Sequence, residues 1–450
     1  MVARATLNPL LSAPITATLA RFALPNMLAM LASAMSTMAE TAYVGSLGVH
    51  ALAGMALVFP MVMLQTMLAN GAMGGGVSSS ISRALGAGQP DRANALAVHA
   101  MWIGLVAGVL ATLGMLVFGP AIYTLLGGQG ETLTQALAYS NVAFLSSVGM
   151  WLTSTFASVI RGSGNMKVPS ITFLSVAVAQ VLIGGALGLG WWGLPRGGMA
   201  GVAMGQVLAF AASALFLFFY LRSGRLRVRL DVRQTPLQSE PLRDILRVGA
   251  LACLSPLQTV LTILILTRLV SHFGTNALAG YGIGTRLEFL LVPLAFAIGV
   301  ASSPMVGMAV GAGMVTRARR VAWTAATMGL VLLTVLGGVV TLVPELWSRL
   351  FTQDAEVISS ASLYFLWAGP CYGLFGMGLV LYFSSMGAGK VGGPVLAGTV
   401  RLVLVAVGGW LLTQAHAPVW TIYALVALGM VVYGLATAAA IWFTSWGTDR

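Results

Sequence analysis

Two carboxylic acids in this 450-residue chain stand where water is scarce. Glu40 lies deep in the apolar run "LASAMSTMAETAYVG", and Glu288 opens another, "GTRLEFLL". The other nine acids, Asp91, Glu131, Asp231, Glu240, Asp244, Glu345, Asp354, Glu356 and Asp449, fall in the gaps between such runs or at their ends. An ionisable side chain at the centre of a membrane span costs about 3 kcal/mol and marks a proton relay, an ion site or a substrate counter-charge. At Glu40 a desolvated carboxyl could take a proton from one side of a membrane and lose it on the other. The plainer reading puts Glu40 near a span end, where it reaches water. Pro25 lies about four helical turns earlier. It frees a backbone carbonyl and allows a hinge. Glu288 sits two residues from Arg286, a spacing that does not pair them on one helix face. Arg401, inside "GTVRLVLV", is another partner for Glu288. An ion pair and a second proton or substrate site both fit that couple.

Uncharged polar residues inside the apolar runs form a second tier: Gln65, Asn70, Asn141, Gln180, Gln206 and Gln258. Such residues more often glue helices together than bind ligands. Met27, Met30, Met35 and Met38 line the same run as Glu40 and suit either an adaptable pocket or ordinary packing. "NGAMGGGVSSS" at 70–80 lacks the Gly-Lys-Ser/Thr ending of a phosphate loop, and its small residues favour close helix approach. Cys253 and Cys371 are two thiols within apolar runs, with no disulfide framework or Cys/His metal spacing. His50, His99, His272 and His416 are scattered near run ends. No nucleophile–base pair or metal cluster is visible, so the expectation is no enzyme, no metal and no cofactor beyond a coupling ion.

These residues need a scaffold, and composition names it. The chain is 58% hydrophobic and 8% charged, with a mean hydropathy of +0.92. A soluble domain is about 25% charged. Apolar stretches long enough to cross a bilayer recur near 15–44, 51–80, 94–118, 135–160, 168–190, 198–221, 246–270, 277–308, 318–342, 357–385, 393–413 and 419–444. The expected class is an all-α integral membrane protein of twelve spans. The net charge of +12 does not point to nucleic acid. With an inside N-terminus, 18 of the 23 Lys and Arg, Arg4, Arg233 and Arg450 among them, fall on one side. The exceptions are Arg196, Arg268, Arg286, Arg349 and Arg401. Both termini are therefore expected in the cytoplasm. Trp191, Trp192, Trp347, Trp442 and Trp446 fall near span ends.

The chain also repeats itself. "LGAG" at 85–88 returns as "VGAG" at 310–313, Arg92 as Arg317, Tyr139 as Tyr364, "GSGN" at 162–165 as "GAGK" at 387–390, and Pro169 as Pro394. Each pair is 225 apart, whereas "ALAG" at 51–54 returns at 277–280, 226 apart. A single loop change would produce that one-residue drift. The expected domains are a six-helix lobe over 1–221, a cytoplasmic linker over 222–245 and a second six-helix lobe over 246–450. Two parallel repeats put substrate near the midplane and permit alternating access by rocking. Val62 stands opposite Glu288 in the repeat, and Leu266 opposite Glu40, so the ionisable sites differ between the halves.

"ETAYVGSLGVHALAG" (40–54), "RALGAGQPDRAN" (83–94), "RGSGNMKVP" (161–169) and their echoes resemble the multidrug and toxic compound extrusion family along essentially the whole chain. The resemblance implies two six-helix lobes and export of amphipathic, often cationic compounds against H⁺ or Na⁺. Glu40 falls where the family's proton-coupled bacterial branch commonly has Asp, Gln180 where it has Asn, and Gln206 where it often has Thr. Gly184 falls where it frequently has a second Asp, so that carboxylate is missing. The resemblance thus implies a cluster of Glu40, Gln180 and Gln206 with Tyr139 nearby, and Glu40 as proton carrier. Spans seven and ten lack the acids of the sodium-coupled branch.

The resulting expectation is a drug/H⁺ antiporter in a bacterial inner membrane, working as a monomer with small-molecule substrates and the bilayer as its partners. A Na⁺-coupled exporter and a flippase for lipid or polysaccharide precursors are the alternatives. A pyrophosphate-bearing precursor would need several buried cations, and only Arg401, with Arg268 and Arg286, offers itself.

Overall fold

The computed structural model describes residues 9–232 and 235–449. Arg4, Arg233 and Arg450, counted above, lie outside the described residues. Among the described residues every regular element is helical. Twelve helices are long and apolar enough to span a membrane: α1 (Ile15–Ser46), α2 (Val49–Gly86), α3 (Pro90–Leu125), α4 (Gly130–Gly162), α5 (Lys167–Leu189), α6 (Gly198–Arg222), α7 (Ser239–Ser271), α8 (Thr275–Gly311), α9 (Val315–Leu342), α10 (Ala355–Gly387), α11 (Gly392–Gln414) and α12 (Val419–Phe443). The protein is a multi-pass membrane protein of the expected class. Leu110, Phe219, Leu396 and Trp410 are more than half exposed, which only a hydrocarbon surround satisfies.

Local chemistry sets the helix ends. Gly48 and Gly274, at φ 125° and 95°, make the tight breaks before α2 and α8, a conformation that side chains disfavour. Asp354 caps α10 by accepting from the Glu356 and Val357 amides. The two halves also kink alike. A 3₁₀ turn interrupts α4 at Phe144–Ser146 and α10 at Gly369–Cys371, 225 residues on. One irregularity is not shared: α2 widens into a π-turn over Met67–Met73.

Packing divides the chain into two compact units, Leu24–Gly249 and Met1–Ala23 with Ala250–Arg450. The cuts fall inside α1 and α7. The segment expected as a linker, 222–245, lies wholly within the first unit. Its last residues are helical, because α7 begins at Ser239 rather than near 246. Hydrogen bonds and ion pairs fix it there. The Arg229 amide donates to Asn94, and the Gln238 amide to His99 Nε2. Asp244 pairs with Arg83 at 3.1 Å and with Arg92 at 3.2 Å, and Arg92 also reaches Glu240 at 3.1 Å. The Arg83–Asp244 pair is the shielded one, at 18% and 27% side-chain exposure, while Glu240 is 76% exposed. Asp244→Asn is therefore expected to cost about 1 kcal/mol and Glu240→Gln a few tenths at most. Limited trypsin digestion at Arg225–Arg229 reads the difference: several-fold faster cleavage in Asp244→Asn alone. Equal rates would mean the pair does not hold the segment.

In the second unit, Arg317, the repeat counterpart of Arg92, donates to the carbonyls of Leu10 at 3.1 Å and Ala13 at 2.6 Å. This ties the short turn Pro9–Ser12 to the start of α9, and the turn packs on α8. Asp449 accepts from the Thr316 amide at 2.9 Å and from its hydroxyl, which holds its carboxyl below the usual range. Cys253 and Cys371 are free.

Candidate functional site

Glu40 is 97% buried, on the face of α1 that carries Ser33, Ser36 and Thr37 at helical spacing. It reaches no water-exposed end. Its Oε1 accepts a 2.6 Å hydrogen bond from Gln180 Nε2 on α5. No cation pairs with it among the described residues. Glu40, Gln180, Gln206 and Tyr139 all line one cavity of about 270 Å³ inside the first unit. The expected cluster is thus brought together, with Gln180 as the direct partner. Gln206 and Tyr139 stand on the wall without bonding to the carboxyl.

Much of the rest of the wall is apolar, from Met55, Phe59, Met63, Met150, Phe173 and Phe210 among others, with Ser33, Ser36, Thr37, Thr66 and Asn70 adding polar groups. The methionine stripe on α1 does not supply it: Met35 and Met38 are 69% exposed and are not among its lining residues. Methionines of α2 and α4 take that place. Val62, opposite Glu288 in the repeat, also lines this cavity.

Gln180 is held at a close crossing of α5 and α6. A Cβ built at Gly205 on α6 would lie 2.5 Å from the Gly184 nitrogen and 2.6 Å from the Gln180 carbonyl oxygen. Gly184, where the resemblance implied a lost carboxylate, is therefore a contact surface: its own Cβ would meet the Val202 carbonyl at 2.9 Å. The same packing places the Gln180 amide, four residues and one helical turn before Gly184.

The "NGAMGGGVSSS" stretch is a packing stripe, as its small residues implied. A Cβ at Gly74 would meet Ser158 Oγ at 2.7 Å, and one at Gly76 would meet the Gly249 backbone at 2.8 Å. The other amides separate by role. Gln65 exchanges hydrogen bonds with Ser147, and Gln258 donates to Thr399. These are interhelical glue. Asn141 is exposed, and Asn70 lines the cavity. Pro25 lies within α1, where it denies the Arg21 carbonyl its helical donor, directly after the cut between the units at Ala23.

In the second unit Glu288 accepts from the Tyr364 hydroxyl. Arg401 is not its ion-pair partner: no nitrogen of Arg401 comes within 4 Å of it among the described residues. Arg401 instead lies over the rings of Phe375 at 5.0 Å and Tyr433 at 5.9 Å. Arg286 turns to Phe351, at 5.1 Å. A ring of tyrosines crowds the acid, with Tyr281 and Tyr423 packed edge-on to Tyr364 at 5.5 and 5.4 Å. Tyr139 and Tyr364 are repeat counterparts. Tyr364 bonds the half-buried acid of its half, and Tyr139 lines the cavity of the buried acid in the other, although the two acids occupy unrelated positions.

Comparison with known proteins follows the same two-part pattern. The MatE family model matches twice, over residues 25–184 and 252–411. A probable multidrug resistance protein of Bacillus subtilis, YoeA, is 26% identical over 78% of this chain and 76% of its own. A FAD transporter of Shewanella oneidensis is 25% identical over 84% and 82%. Among solved structures, a MOP superfamily transporter from Pyrococcus furiosus, described as having a binding pocket of reversed polarity, superposes with a TM-score of 0.89 at 21% identity, over 96% of this chain and 97% of that one.

Proposed function

The chain belongs to the MatE family, whose members are membrane transporters and not enzymes, and from that premise we propose that it exports amphipathic, often cationic small molecules in exchange for H⁺. The observation that carries the proposal is Glu40: a buried carboxyl with one neutral donor, opening on a mainly apolar cavity. A proton and a positively charged substrate compete for the same negative charge. Deprotonated Glu40 favours bound substrate; protonation removes the attraction and expels it. Exchange of one proton for one monovalent cation at Glu40 moves no net charge, so the pH difference drives it, about 1.4 kcal/mol or tenfold accumulation per pH unit. The working site is a bacterial inner membrane, with both termini cytoplasmic and one chain sufficient.

Sodium would ask more of this site. A hard cation prefers several oxygen ligands, and one carboxyl with two amides offers few. Everted vesicles separate the two ions. Ethidium uptake driven by an imposed pH gradient, with no response to a Na⁺ gradient, is expected. Uptake that follows Na⁺ and survives a collapsed pH gradient would reverse the choice of ion. Uptake under neither gradient would redirect the substrate toward lipids or a narrower metabolite.

A further inference from the structure

α2 and α8 are repeat counterparts of 38 and 37 residues. The glycine before each and the alanine after each correspond: Gly48 with Gly274, 226 apart, and Ala87 with Ala312, 225 apart. The one-residue drift therefore lies inside the helix rather than in a loop. α2 takes up the extra residue in its π-turn Met67–Met73, and α8 runs on as a regular α-helix. Positions before the turn are matched at 226 and later ones at 225. On that register five residues of the Glu40 cavity wall have counterparts in the second unit. Met55 matches Tyr281, Val62 matches Glu288, Tyr139 matches Tyr364, Met150 matches Phe375 and Val176 matches Arg401. Two valines of one wall are thus an acid and a cation in the other.

Arg401 is turned into its unit, away from lipid. On α11 it continues the buried stripe Pro394, Ala397, Val405 and Gly409 at helical spacing. Leu396, Val400, Val403, Val407 and Trp410 form the exposed stripe on the opposite face. Inside the unit the guanidinium lies over Phe375 of α10 and Tyr433 of α12. It is only half-buried, and the two ends of the fork differ. Nε is shut off and has no acceptor. Nη1 and Nη2 make no hydrogen bond or ion pair with any described residue either, yet they are not shut off. Glu288 does not supply the missing anion, because it stays beyond 4 Å and accepts from Tyr364. A cation within a span normally pairs with an acid or a carbonyl. Here its accessible edge faces neither.

We propose that Arg401 is the anchor of a second binding site, inside the unit of Ala250–Arg450, for the carboxylate of an amphipathic aromatic acid. The planar fork offers two parallel N–H groups to a planar carboxylate, at about 2.8 Å. At that distance its attraction exceeds the repulsion from Glu288, which stands further off. Phe375 and Tyr433 give the ligand's apolar body a surface beside the charge. One cation suits one carboxylate and not a pyrophosphate. The site is opposite in sign to the one at Glu40, and it goes beyond the transport reading without depending on it.

The test compares naphthoate with naphthamide, the same rings without the charge, by equilibrium dialysis against the purified full-length protein at neutral pH with no gradient imposed. Wild type is expected to bind naphthoate about tenfold or more tighter than naphthamide, the effect of a charged hydrogen-bonded pair. In Arg401→Gln the naphthoate Kd is expected to rise to that of naphthamide, with naphthamide itself within about twofold of wild type. Arg401→Lys keeps the charge but not the fork, and recovers part of the loss. Should Arg401→Gln fail to fold, Arg401→Lys decides alone: naphthoate weakens roughly threefold while naphthamide does not move. Equal wild-type affinity for the two probes, parallel losses in the variants, or naphthoate binding untouched by Arg401→Gln would each overturn the proposal and leave Arg401 a packing cation. So would a wild type that binds neither probe. The transport reading is tested by gradient-driven ethidium uptake, so either reading can fail without the other.

Discussion

Glu40→Gln is expected to end gradient-driven export. The substitution keeps the volume and a hydrogen-bonding head but fixes the side chain as neutral. In wild type, proton and cationic substrate compete, so by linkage the apparent Kd rises tenfold per pH unit on the acid side of the carboxyl's titration and levels off on the alkaline side. In Glu40→Gln that curve is flat. Export driven by the pH gradient falls about 10- to 100-fold, the range of a coupling free energy of 1–3 kcal/mol, while the protein reaches the membrane in equal amount. Vesicle accumulation and equilibrium binding across pH check the two statements separately. A variant that still accumulates ethidium under a pH gradient would remove Glu40 as the carrier and turn attention to Glu288, the half-buried acid held by Tyr364.

The second large effect concerns a residue with no chemistry at all. Gly205→Val places three carbons where the first already meets backbone at 2.5 Å. Neither Gly184 N nor the Gln180 carbonyl can turn aside as a side chain would, so α5 and α6 must part. Overpacking of this kind costs about 1–3 kcal/mol. For a unit of this size the melting temperature falls by roughly 2–4 °C per kcal/mol. A drop of about 5–10 °C is therefore expected in detergent, together with loss of coupling, because Gln180 moves away from Glu40. Gly205→Ala should lie between. Gly114→Ala on α3 is the control: a Cβ there meets nothing within 4 Å. Thermal unfolding followed by size-exclusion fluorescence measures all three. Gly205→Val melting alongside Gly114→Ala would mean the crossing is looser than the geometry states.

Sequence alone located the twelve spans, because about twenty apolar residues per crossing leave little room for other readings. The ends were less legible: α3 runs from Pro90 to Leu125, beyond the 94–118 of its apolar core, since a helix does not stop where its hydrophobicity does. α7 was cut short for the same reason. "SEPLRDILRVGALA" is polar on one face, and a span window discards such a turn although Arg83 and Arg92 hold it in place. Glu40 and Gln180 were readable as partners because family position put them together. Arg401 was readable as a buried cation but not as one facing aromatic rings, since a single sequence does not say which of several neighbours a long side chain meets. The π-turn did leave a trace, the slip from 226 to 225. A single sequence does not distinguish it from a loop change, because insertions usually settle in loops.

The hold of Arg317 on Leu10 and Ala13 also orders events in time. These partners are 307 and 304 residues apart in the chain. A ribosome adds about 5–20 residues per second, so the start of α1 waits roughly 15–60 s before its anchor exists. The corresponding grip on α7 has no such delay, for Arg83 and Arg92 precede Asp244 by 161 and 152 residues and are already in place when it emerges. The first unit can thus close while synthesis continues, whereas Leu10 and Ala13 wait for Arg317.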